Sequence, residues 1–154
     1  MRTLASLILV SAALYAQDQG LGNGCSNSIL KGSYGFTVSG TKPMGPGMVE
    51  QFVGLGVAHF DGDGNFTQTG HNHASVTGDY SGDGFGTYSI NADCSGTATL
   101  TLSNVGVTLN LWIVVVDQGN EVRLVVKTPV TPVGPMPAAN LTIAMGRKVG
   151  PSNK

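Results

Sequence analysis

Residues 85–103 read FGTYSINADCSGTATLTLS, two stretches of alternating character either side of Asn91-Ala92-Asp93-Cys94-Ser95-Gly96. Alternation with period two sends successive side chains to opposite faces of a strand. A segment this rich in Asn, Asp and Gly reverses the chain. The stretch is therefore read as a β-hairpin, and its turn carries one of only 2 cysteines in 154 residues. A chain organised on such a unit is expected to be all-β with antiparallel strands. The hairpin specifies no reaction.

The same alternation recurs along the chain. Strands are expected over 33–40, 50–60, 65–73, 85–91, 97–103, 107–116, 121–128 and 140–147. Asp61-Gly62-Asp63-Gly64 and Asp117-Gln118-Gly119-Asn120 have the composition of tight turns. Longer connections are expected at 41–49, where Pro43 and Pro46 argue against a central strand, and at 74–84 and 129–139. With 23 glycines and no stretch of helical period, no helix is expected.

The first sixteen residues have the form of a secretory signal: Arg2, then an apolar run from Leu4 to Leu14, then the small residue Ala16. That run is too short for a membrane span. Residues 17–32 would form a segment pinned through Cys25, 33–148 a single barrel domain, and 149–154 a polar tail. Export to an oxidising compartment, extracellular or periplasmic, would let Cys25 and Cys94 pair. Eight Lys and Arg against nine Asp and Glu leave no basic patch, which argues against nucleic acid as a partner.

About eight strands joined in sequence by hairpins suit an antiparallel up-and-down barrel, with a two-sheet sandwich as the rival. If strands alternate up and down, the turns at 61–64, 92–96 and 117–120 share one end. Cys25, just before the first strand, falls at that end too, so a Cys25–Cys94 disulfide fits this topology. The longer loops would frame an open mouth at the other end.

Three motifs, GSYGFTVSGT (32–41), VAHFDGDGNF (57–66) and GTYSINADCSGTATL (86–100), resemble a group of secreted bacterial proteins of unassigned function. That group is similar to the allene oxide cyclase-like branch of the calycin, lipocalin-type barrels. The resemblance implies a calycin-like barrel, and in the cyclases such a barrel closes a ring in a fatty-acid-derived epoxide. No functional residue of those enzymes matches a motif here, so none is carried over.

No cofactor, metal site or catalytic residue is expected. His71 and His73 share a strand face, and Glu50 is the one obvious carboxylate near them, but a polar, solvated strand end is the better reading of the pair. Asp61-Gly62-Asp63-Gly64-Asn65 begins like a calcium loop, yet Phe66 stands where Gly is required and Asn72 where Glu is, so a hairpin turn is the better reading. The reading placed first is a small apolar ligand bound through the open end, with Phe36, Glu50, Phe52, His71, His73, Tyr88 and Leu111 as candidate contacts. A structural or surface-assembly module comes second. A cyclase or isomerase using Glu50, Gln68, Asn72 or Asn110 comes third. In 107–116, Leu109, Leu111, Ile113 and Val115 are expected inside, which turns Trp112, Val114 and Val116 outward as a candidate homo-oligomer interface.

Overall fold

A computed structural model describes residues 24–45, 48–131, 134–135 and 141–150. The expected signal sequence, most of the 129–139 loop and the end of the tail lie outside the described residues. Ten strands follow a single turn of 3-10 helix at Asn27–Ile29: β1 (Lys31–Gly45), β2 (Met48–Asp61), β3 (Asn65–Ala74), β4 (Gly78–Ser81) and β5 (Gly84–Ile90). Then come β6 (Ser95–Leu102), β7 (Val107–Val116), β8 (Glu121–Thr131), β9 (Gly134–Pro135) and β10 (Leu141–Lys148). The described residues contain no helix long and apolar enough to cross a membrane.

The strands pair antiparallel in the order β1-β2-β3-β5-β6-β7-β8, and β10 bonds to both β8 and β1. That double pairing closes an eight-stranded barrel, so that β1 and β8 are not left as free edges along the lengths where β10 pairs with them. It is an all-β, closed antiparallel barrel, consistent with a calycin-like fold, and not a sandwich. The seam is tied outside by Glu121, which accepts hydrogen bonds from Arg123 and from Arg147 of β10 at 2.8 and 3.1 Å.

Alternation decides which side chains fill the interior. Tyr34, Ala58, Phe60, Phe66, Tyr88, Ile90, Leu111, Ile113, Val122 and Leu124 are buried, while Val53, Leu55, Val57, Trp112 and Val114 point outward. Inward glycines make room for large cross-strand neighbours. The Phe66 ring lies over Gly86, its partner in register, and the Phe36 ring over Gly146. A Cβ on either glycine would run into that ring, which is the arrangement in which an aromatic covers a glycine across a ladder.

One end is sealed from below. Cys25 is joined to Cys94, with Cα atoms 4.9 Å apart, and its N–H donates to Ala92 O. This lays residues 25–30 under the barrel. The Tyr88 hydroxyl donates to Leu30 O at 2.9 Å and accepts from Gly62 N–H at 3.1 Å, and Asn27 Oδ1 accepts from Ile90 N–H. The Tyr34 hydroxyl donates to Gly119 O. The three short turns therefore meet the plug at the disulfide end, as the alternating-strand topology requires.

The opposite end differs from expectation in two places. Among the described residues of 41–49, none forms an irregular loop. Instead β1 and β2 run on as a paired ladder to Gly45 and Met48, overshooting β10, whose pairing stops at Thr41. Pro43 is tolerated because its missing N–H would face that unpaired side. Nor is 74–84 a loop: a tight turn at 75–77 returns the chain as β4 against the upper half of β3, and β5 takes over against the lower half.

Candidate functional site

Above the plug stands an aromatic floor centred on Phe60. Its ring is 5.3 Å from Tyr34 and 5.2 Å from Tyr88, both edge-on, and 5.2 Å from Phe66. Higher up the inward residues of several strands are small: Ala58, Gly56 and Gly54 on β2, Gly70 on β3, Ala144 on β10. The side chains there cannot meet across the axis. A cavity of about 390 Å³ remains, walled by Phe36, Val38, Phe52, Leu100, Leu102, Leu109, Leu111, Leu124, Val126 and Ala144. The sector formed by β3 and β4 is polar, with Gln68, Asn72 and Tyr80.

Lys42, Glu50 and Thr77 stand at the rim. Glu50 is 1 % exposed, yet its carboxylate is fully engaged. Oε2 accepts from Val76 N–H at 3.1 Å and Thr77 N–H at 3.0 Å, and Oε1 from the Thr77 hydroxyl at 2.9 Å. Lys42 Nζ lies 3.0 Å from Oε1 and 3.9 Å from the Tyr80 ring centroid. Burial by itself raises the Glu50 carboxyl, but hydrogen bonds from the Thr77 amide, Lys42, the Thr77 hydroxyl and the Val76 amide outweigh it and hold the pKa at about 2, from 4.5. Glu50 thus ties the overshooting hairpin to the 75–77 turn.

Asp61 does the same at the closed end. Its Oδ1 accepts from the N–H groups of Asp63, Gly64 and Asn65, and its Oδ2 from the Asn65 amide. The Asn65 side-chain bond, followed by those backbone bonds, lowers Asp61 to about 2, from 3.8. A depressed carboxyl stabilises the fold above its unfolded pKa and loses that contribution as pH falls through the folded one. The melting temperature should therefore decline between about pH 4.5 and 2. Glu50→Gln should make the decline shallower in thermal melts stepped through that range. A variant slope equal to that of the native chain would refute the assignment for Glu50.

The candidate ligand contacts divide by position. Phe36, Phe52 and Leu111 line the cavity. Glu50 is at the rim with its carboxylate turned to the 75–77 turn, and Tyr88 is part of the floor, with its hydroxyl bonded to the plug. His71 and His73 are on the outer face, where His73 Nδ1 pairs with Asp79 at 2.7 Å. They border an open outer depression of about 640 Å³ formed with Thr37, Ser39, Val53, Leu55, Ile143 and Met145. The barrel wall separates them from Glu50, and no three His, Cys, Asp or Glu come together among the described residues. Of the polar groups considered for chemistry, Gln68 and Asn72 line the cavity and Asn110 does not. Tyr80 and Lys42 were missed, because both lie in segments read as loop from their Gly, Pro and Asp content.

Compared with known proteins, the chain matches no family model, no curated protein and no solved structure.

Proposed function

We propose that this chain is a secreted binding protein for a small apolar molecule, held inside the barrel and entered from the end opposite the disulfide. The observation that carries this reading is the hollow upper barrel. Its volume lies within the range of roughly 300–1,000 Å³ usual for ligand sites, and apolar walls with a few polar groups are the usual lining. A disulfide and an N-terminus of secretory form support export. The allene oxide cyclase-like alternative would use the same cavity. Binding is favoured over it because no Asp or Glu among the described residues lines the cavity, and Glu50 at the rim already has its oxygens engaged.

The test is an apolar fluorescent probe titrated against the oxidised chain. Saturable binding is expected, and Ala144→Trp, which fills the space between Val38 and Leu124, should weaken it by about tenfold or more. Binding unchanged by that substitution would place the probe elsewhere and sink the proposal.

A second reading rests on the outer face. Val53, Ile143, Val125 and Trp112 fall in one row across the sheet, with Ser39 between the first two. Leu55, Met145 and Val114 follow in the next row, with Thr37 and Arg123 between them. Trp112 is 53 % exposed and Leu55 67 %. A strip of this extent suits packing against a second copy, extending the Trp112, Val114 and Val116 surface beyond β7. Light scattering after size exclusion should show an oligomer that Trp112→Lys dissociates. A monomeric native chain would exclude it.

A further inference from the structure

The polar sector of the cavity has hydrogen-bonding capacity that the protein does not use. Asn72 faces inward from β3, its amide lying where Gly54 and Gly82 lack a Cβ. Tyr80 on β4 is its partner in register. Gln68 lies four residues before Asn72 on the same face; its Nε2 donates to Gly82 O at 2.6 Å, which leaves its carbonyl oxygen open. Among the described residues the Asn72 amide and the Tyr80 hydroxyl have no hydrogen-bond partner. No fully buried side-chain N or O among those residues is unpaired, so the open groups reach accessible space.

Charge is matched differently. Lys42 is the one charged side chain among the described residues lining the cavity, and Glu50 already neutralises it at 3.0 Å. A carboxylate brought in beside that pair would be a buried charge with no free counter-ion. A plain hydrocarbon would leave the Asn72 and Tyr80 groups dry and unbonded.

We propose that the ligand is an apolar molecule bearing an uncharged hydroxyl or keto oxygen, placed against Asn72, Tyr80 and Gln68 with its hydrocarbon part on the Leu and Phe walls. The proposal rests on the ligand-binding reading above and narrows it to a chemical class.

Displacement of the bound probe from the full oxidised chain by decane, decanol, a decanone and decanoate tests it. Decanol and the decanone should outcompete decanoate by about tenfold at neutral pH. Decane is more hydrophobic than decanol in any apolar site, so the informative quantity is the decanol-to-decane affinity ratio. Tyr80→Phe keeps the ring and should lower that ratio about threefold, and Asn72→Leu added to it about tenfold in all. Should the double variant not fold, Tyr80→Phe and the native chain's ligand order still decide. A ratio that Tyr80→Phe leaves unchanged, or tighter binding of decanoate than of decanol, overturns the proposal while leaving ligand binding intact. Failure of the probe to bind at all overturns the binding reading, and this inference with it.

Discussion

Replacing both cysteines, Cys25→Ser with Cys94→Ser, is expected to remove about 4 kcal/mol of stability. The bond closes a span of 69 residues, and its loss returns that loop's entropy to the unfolded chain. The native side adds a second contribution. Cys94 holds φ 67°, a left-handed backbone that only Gly adopts freely. The turn around it is fixed by Asn91 accepting from Cys94 N–H and by the Asp93 carboxylate accepting from Ser95. Without the bond, residues 25–30 are held only by hydrogen bonds and by the packing of Ile29 and Leu30, so the plug should loosen first. Urea unfolding of the native and double-serine chains measures the loss, and hydrogen exchange at Leu30 and Ile90 locates it. A loss below about 1 kcal/mol would mean that the plug is held by its other contacts.

Phe60→Ala is expected to cost about 4 kcal/mol, near the upper end for a buried aromatic. Phe60 is 1 % exposed and touches four rings, and the space above it is already empty. Two of its neighbours, Tyr34 and Tyr88, are held in place by bonds to the plug and the closed-end turns, so they cannot collapse into the gap. The residual void then joins the cavity, and the cost of a large-to-small change grows with the void that remains. Phe52→Ala is the contrast. Phe52 is only half-buried, at the rim 6.5 Å from the Tyr80 ring, and its truncation should cost about 1 kcal/mol. Equal losses for the two in chemical denaturation would show that Phe60 is not the floor of the barrel.

Much of the fold was legible because period-two alternation is a local signal with one geometric consequence. The faces of β2 and β7 follow from it residue by residue: Phe60 in and His59 out, Ile113 in and Trp112 out. The closed end was legible for a similar reason, since Asp61, Asn91 and Asp117 mark turns by their own chemistry. The open end was not. Pro43 reads as a breaker unless its unpaired side is known, and that depends on where β10 stops, a hundred residues away. Tyr80 sits among Gly78, Asp79, Gly82 and Asp83, a composition that reads as loop, but pairing with β3 makes it a strand. Glu50 read as a free carboxylate because nothing local announces that the turn at 76–77 will donate to it.

The sequence by itself determined that this chain is antiparallel β, which side chains share a face, and which turns lie together with the two cysteines. Those are properties of neighbouring residues and of strand parity. Only the tertiary structure decided that the barrel closes through β10, that its upper half is hollow, and that Asn72, Tyr80 and Gln68 share one sector of that space. A cavity is set by how far opposite walls stand apart, and so by closure and by small residues on three different strands. No local pattern encodes that distance.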